Sequence, residues 1–453
     1  MPDPSLIDTI VIVMMENRSF DNMLGHLSCQ GYDNRKEVEG LRYPLKDERY
    51  ENIFEGESYY PFSMKDIMLP SDLPHERDEI NVQLAHSSVS GTYTMSGFVG
   101  AYYQYTAVNR TQRPEPMGYY PPDQVPITNF LANNFAVCDH WFSSLPTSTV
   151  PNRLMALSGE SRVDKTGRQL FPEEGYIVLD WLNDHGIRWR VYHAGLSFFM
   201  LLGRFTDVLG PNFRSVKHLA IDVKVERPDQ FPQVIFIEPS YYDARHFGTD
   251  QPNDNHPPLA VGFGEDFIRR IYKALTSNPE RWRNTVMILT YDEHGGFFDH
   301  VPPLPITYNP PGGEYAPFES TGVRVPAIIV SPFVASHAVY KGLLDHTSIL
   351  QFLAERFAPR GEGYSKSVNE RRNYGIRSVS QVLDLDTPRT DIPPVPSNKI
   401  QRVTILGLEE VEMPQGLMQT AFENAASKMI DAWPEQTKQK FPDIYHWSLT
   451  KSS

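Results

Sequence analysis

Cysteine is scarce, and Cys29 and Cys138 are the whole supply in 453 residues. That excludes a disulfide framework and a thiolate zinc site, and two such thiols suit a reducing compartment. Basic clusters are missing as well. With 42 Lys and Arg against 56 Asp and Glu the formal charge is −14, which argues against a nucleic-acid partner and against electrostatic docking on anionic membranes. No apolar run is long enough to span a bilayer. The amino terminus, Met1-Pro2-Asp3-Pro4-Ser5, has no basic segment and its apolar stretch is broken by Asp8, so it does not read as a secretory signal. A soluble, cytoplasmic protein is the expectation, although a signal already removed would leave no trace. Internal repeats and heptads are absent too, and oligomeric state is not legible.

What is present is a series of short, β-branched apolar runs, each ending in polar residues. Residues 7–15 read as a central parallel strand, buried on both faces, that delivers Glu16 and Asn17 at its carboxyl end. Residues 188–193 read as a strand ending at His193, and 233–238 as one ending at Glu238. Residues 286–290 deliver Asp292 and Glu293, followed by His294 and a Gly-Gly pair. Between the last two runs, Phe267, Ile268, Ile271, Tyr272 and Leu275 recur at helical spacing, so strand, helix and strand form a parallel crossover unit. An α/β fold follows. Residues 27–126 lose this periodicity and form a loop-rich insertion, whose tyrosines pack the loops or wall a pocket. The Pro-rich stretch 386–396 ends the regular pattern. Residues 1–385 are therefore expected to form the main domain, with 386–453 a connector and a helical appendage packed on it.

Ligands in open α/β sheets bind at the carboxyl edge, and the polar strand ends gather there. Adjacent carboxylates such as Asp292 and Glu293 repel each other unless something positive lies between them. Glu16, Asp292 and Glu293 with the carbonyl of Asn17 are hard oxygen donors suited to a divalent metal ion whose identity the sequence does not fix. Thr149, followed by Pro151, falls near a helix start, where free N–H groups and the helix dipole suit a phosphate-bound nucleophile. The plainer alternative is a helix cap, and that segment alone favours it. His75, His193 and His256 could orient phosphate oxygens and protonate a leaving alcohol. Asn17, Arg153 and His294 are the candidates for holding substrate.

Three segments in order, Glu16-Asn17-Arg18-Ser19-Phe20-Asp21, Thr149-x-Pro151-Asn152-Arg153 and Asp292-Glu293-His294-Gly295-Gly296, resemble the signature segments of the phosphoesterase family of non-specific phospholipases C and related acid phosphatases. The likeness runs from about residue 7 to 357. It implies an alkaline-phosphatase-like three-layer sandwich, with a mainly parallel central sheet flanked by helices. It also implies a metal on Glu16, Asn17, Asp292 and Glu293, Thr149 as nucleophile through a phosphothreonine intermediate, and His75, His193 and His256 as active-site histidines. His294, Asp299 and His300 would stand behind the ligands, and His346 would cap or pack. The expected substrate is a phosphodiester of phospholipid type, with a phosphomonoester as the alternative. A sulfatase is disfavoured because a threonine cannot be oxidised to the aldehyde that chemistry needs. A non-catalytic lipid- or phosphate-binding protein on the same scaffold is the reading from a different class.

Overall fold

The computed structural model describes the chain except residues 1, 66, 88, 168–174, 248–250, 398–399, 401–415 and 452–453. Eight strands form the main sheet. They are β1 (Thr9–Met15), β2 (Ala136–Cys138), β3 (Trp189–His193), β4 (Phe213–Ser215), β5 (Val234–Glu238), β6 (Thr285–Tyr291), β7 (Ala327–Val330) and β8 (Val339–Tyr340). Their spatial order is β4-β3-β5-β1-β6-β7-β2-β8. All run parallel except β7, which is antiparallel to both its neighbours. The central pair β1 and β6 is buried along its whole length, as their unbroken Val, Ile, Leu and Met content requires.

Helices cover the sheet. The ones that matter below are α1 (Phe20–Leu24), α2 (Arg77–Leu84), α3 (Phe98–Tyr105), α4 (Pro126–Asn134), α5 (Thr149–Ser158), α6 (Gly262–Leu275), α7 (Thr347–Phe357), α8 (Leu417–Ala432), α9 (Pro434–Lys440) and α10 (Pro442–Lys451). The stripe Phe267, Ile268, Ile271, Tyr272 and Leu275 of α6 is buried, and the Tyr272 ring meets Phe130 of α4 at 5.6 Å. Helix α6 carries the chain from β5 to β6, which lie on either side of β1, so the crossover read from the sequence is present. The result is the expected α/β sandwich with a mainly parallel sheet between helices.

One feature differs from the expectation. The insertion is not all loop, since α2 and α3 pack within it; α2 buries only Ile80, Gln83 and Leu84, too few positions to print a helical stripe on the sequence. Its tyrosines mostly pack, with Tyr102, Tyr119 and Tyr120 fully buried. In the carboxyl-terminal region α8 buries Met418, Ala421, Phe422, Ala425, Ala426 and Met429, and the Pro-rich stretch 386–396 before it is described, whereas 398–399 and 401–415 are not. Among the described residues no helix is long and apolar enough to cross a membrane.

Candidate active site

Asn17 sits one residue past the acid that ends β1, with φ at +61°, a left-handed conformation that asparagine tolerates better than most side chains. The turn aims its N–H at Asp292 Oδ1, 3.1 Å away, and so locks the ends of β1 and β6 together. Gly295 and Gly296 make this possible from the other side. Both have positive φ, and a Cβ on Gly295 would stand 2.1 Å from the Asn17 carbonyl oxygen. Next along the chain, Arg18 is fully buried and donates to the carbonyls of Asn255 (2.8 Å) and Leu259 (3.1 Å), which pins the loop carrying His256.

Thr149 is the first residue of α5, after Ser148 at the N-cap. The Ser148 hydroxyl does not cap the helix but donates to Glu76 at 2.8 Å. The Thr149 hydroxyl points to Asn17 Oδ1 at 3.5 Å, and Asn17 Nδ2 lies 3.3 Å from His75 Nε2. Thr149, His75 and His256 line a single cavity of about 580 Å³ together with Asp72, Tyr242 and Asp243. The two imidazoles meet edge to face at 5.9 Å.

One turn along α5, Arg153 reaches across the strand ends. It donates to Asp292 Oδ2 at 3.0 Å, to Glu16 Oε1 at 3.2 Å and to the Tyr241 hydroxyl at 3.1 Å. Arg153 is thus the positive group between Glu16 and Asp292. Burial pushes the Glu16 and Asp292 carboxyls up, and Arg153 pulls both back. Arg153 is 4% exposed and lines a small apolar void under β1 and β5, not the cavity that Thr149 lines.

Glu293 behaves differently. Burial pushes it up, but His75 and His294 outweigh that and hold it below the usual carboxylate range. Its Oε2 accepts from the Gly295 N–H at 2.7 Å, whereas its buried Oε1 has no hydrogen-bond partner. Burial opposes charge on His75 as well, and Glu293, Asp72 and Glu76 lift it to about 10. For His256, burial is outweighed by Asp72, Asp243 and Asp254, so it also lies above the usual histidine value. Carboxylates around the cavity thus favour the charged form of both rings.

Not every predicted residue joins this group. His193 lines a separate cavity, because β3 lies two strands from β1, with β5 between, and strands about 4.8 Å apart put their ends roughly 10 Å from each other. His294 is 1% exposed and its Nε2 lies 2.8 Å from Gln83 Oε1; it ties the insertion to the Asp292 loop and lies outside the cavity lining. Asp299 and His300 belong to another network, where Arg324 bridges Asp299 and Asp21 at 2.9 and 3.3 Å, so the cluster Asp21, Asp299 and His300 already contains its cation. His346 does pack as expected, with Nε2 2.6 Å from the Asp292 carbonyl.

Residues the sequence did not single out also contribute. Asp72, His75 and His256 bring ligand atoms within 4.8 Å of one another and could hold a metal ion. Gln83 donates to the Pro74 carbonyl at 2.6 Å, fixing the segment that carries His75. Asp72 and Gln83 lie in the aperiodic insertion, where no spacing marks them.

A profile of the phosphoesterase family matches residues 7–358. Non-specific phospholipase C1 of Arabidopsis thaliana is 33% identical over 349 residues, covering 74% of this chain and 62% of that protein. Phospholipase C A of Mycobacterium tuberculosis is 29% identical over 412 residues, 78% of this chain and 73% of its own. The chain thus spans less than two thirds of the length of the Arabidopsis relative. Among solved structures, a protein in the alkaline phosphatase superfamily from Vibrio parahaemolyticus aligns over 58% of this chain and 63% of its own at 11% identity, with a TM-score of 0.33.

Proposed function

The chain belongs to the phosphoesterase family, and from that premise we propose that it is a phosphoester hydrolase of the phospholipase C type, cleaving phosphodiesters through a phosphothreonine intermediate. The observation that carries this reading is the position of Thr149. Its hydroxyl opens a helix, faces Asn17 and shares one cavity with two histidines that neighbouring carboxylates raise above the usual imidazole value.

Thr149 Oγ attacks phosphorus with the helix N-terminus beneath the phosphate oxygens, its proton passing to water in the cavity. The bond to the alcohol breaks, and His75 or His256 protonates the departing oxygen. Water then enters and cleaves the phosphothreonine, with the deprotonated histidine taking the proton of the water and the departing Thr149 oxygen regaining its own from water in the cavity. Asp72, Glu76 and Asp243 at the cavity wall disfavour a doubly charged monoester more than a singly charged diester, which supports the diester over the phosphatase alternative. A zwitterionic phospholipid, releasing diacylglycerol and a phosphorylated head group, fits that electrostatic wall.

The donor set fits a divalent metal. Glu16, Asp292 and Glu293 are buried carboxylates, Arg153 bridges only the first two, and Glu293 Oε1 is unpartnered. Glu16, Asn17, Asp292 and Glu293 would hold the ion, and when bound it acidifies the attacking hydroxyl and polarises the phosphoryl group. The test compares p-nitrophenyl phosphorylcholine with p-nitrophenyl phosphate, with and without chelator, for the wild type and Thr149→Ala. The expected result is preference for the diester, loss with chelator, and a fall in kcat of about a thousandfold or more in the variant. Preference for the monoester replaces the substrate assignment, full activity in chelator removes the metal, and full activity of Thr149→Ala removes the nucleophile and revives the non-catalytic reading.

A further inference from the structure

The sheet has a second opening at its carboxyl edge. His193 ends β3, Ser215 ends β4 and Ser240 follows β5, so three adjacent parallel strands deliver polar residues to one place, which is where ligands enter such sheets. The cavity there measures about 230 Å³, and Lys217, Lys440, Phe441 and Asp443 complete its wall. It is distinct from the Thr149 cavity. The short segment after β5 divides the two, with Ser240 lining one and Tyr242 the other.

The chemistry of this second cavity is specific. His193 is 7% exposed, its Nδ1 lies 2.7 Å from the Gly195 carbonyl, and its Nε2 is buried without a hydrogen-bond partner. A carbonyl can only accept, so the ring proton sits on Nδ1 and Nε2 presents a lone pair. Burial, the largest influence, lowers His193 to about 4, which keeps that lone pair free at neutral pH. Lys440 donates one of its three N–H bonds to the Gly210 carbonyl. Half-buried, it is lowered to about 8 by burial with no carboxylate offsetting the loss. A ligand that completes this set brings anionic oxygens for the Lys440 ammonium and a hydroxyl for Nε2.

We propose that the cavity bounded by His193, Ser215, Ser240, Lys217 and Lys440 is a second binding site, for a small phosphate ester that carries a free hydroxyl, such as a phosphorylated polyol. The cavity has room for such a molecule but not for a lipid with two acyl chains. Lys440, Phe441 and Asp443 lie at the junction of α9 and α10, so the ligand also fastens the carboxyl-terminal helices to the sheet edge. The site stands apart from the hydrolytic reading and does not depend on it.

The test is calorimetric titration of glycerol 3-phosphate and phosphorylcholine into the full chain and into Lys440→Met. Wild type is expected to bind glycerol 3-phosphate at a site that Lys440→Met weakens at least tenfold, while hydrolysis of p-nitrophenyl phosphorylcholine stays unchanged. Phosphorylcholine, which has no free hydroxyl, is expected to bind that site at least tenfold more weakly. Wild-type affinity in Lys440→Met overturns the proposal, as does loss of hydrolysis in a folded Lys440→Met, and equal binding of the two probes overturns the assignment of Nε2 to a hydroxyl. Should Lys440→Met not fold, Asp443→Asn keeps the test alive, because removing the Asp443 carboxylate from the wall is expected to tighten glycerol 3-phosphate severalfold, and unchanged affinity counts against the site.

Discussion

Arg153 holds together two carboxylates that end different strands, Glu16 after β1 and Asp292 after β6. Its ring neighbours, Phe198 at 5.2 Å and Tyr241 at 5.1 Å, sandwich the guanidinium and keep water off it. Removing one member of a buried ion pair leaves the others uncompensated, at about 3–5 kcal/mol. Arg153→Ala is therefore expected to lower the unfolding free energy by that amount in urea titration and to abolish hydrolysis. Arg153→Lys is expected to recover part of the stability, because one charge returns, but little of the rate, because an ammonium cannot span Asp292, Glu16 and Tyr241 at once. Stability unchanged in Arg153→Ala would mean that the carboxylates are neutral in the folded protein.

The loop after β6 shows how an element is shaped by its neighbour. Gly295 has φ at +62° and its missing side chain leaves space for the Asn17 backbone, so Gly295→Ala meets both backbone strain and a clash that no rotamer relieves. A loss of about 1–3 kcal/mol and at least a tenfold fall in kcat are expected, since Asn17 would shift relative to Thr149; a variant with wild-type kcat would show that the loop moves independently of β1. The strands that carry this loop were readable because a doubly buried parallel strand needs a continuous β-branched run, and such runs at 7–15, 233–238 and 286–290 have no other interpretation of comparable length. The strand ends were readable for the same reason. What a one-dimensional pattern does not contain is the lateral order of strands, and His193 is the example. It ends a strand as expected, yet β5 stands between β3 and β1 and turns it to another cavity. Asp72 and Gln83 escaped because their positions are fixed by tertiary contacts of the insertion, such as the bond from Gln83 to the Pro74 carbonyl, and not by any period. The spacing of Arg153 from Thr149 is visible in the sequence, whereas its burial against Glu16 and Asp292 is not.

Across the whole molecule, distant segments are joined by buried contacts that can be titrated or removed. Phe422 of α8 is fully buried and stacks on Tyr241 at 5.7 Å, whose hydroxyl accepts from Arg153. Phe422→Ala is expected to cost about 3–5 kcal/mol and to lower kcat through Arg153, whereas a purely peripheral helix would lose stability alone. A second tie involves charge. His300 lies 2.7 Å from Asp21 of α1 and 3.4 Å from Glu39 of the insertion, beside Arg324 and Asp299. Burial opposes the charged ring, but Asp21 and Glu39 prevail and raise it to about 9. A group whose pKa rises on folding binds its proton more tightly in the folded state, so its contribution is complete below the unfolded value near 6.5 and disappears as pH climbs through about 9. The shift corresponds to at most about 3 kcal/mol. His300→Gln is therefore expected to be less stable than wild type at pH 6, with the gap closing steadily by pH 9.5 in urea titrations at each pH. A gap that stays constant over that range would mean that His300 holds α1 and the insertion by packing against Tyr50, 5.3 Å from its ring, and not by its charge.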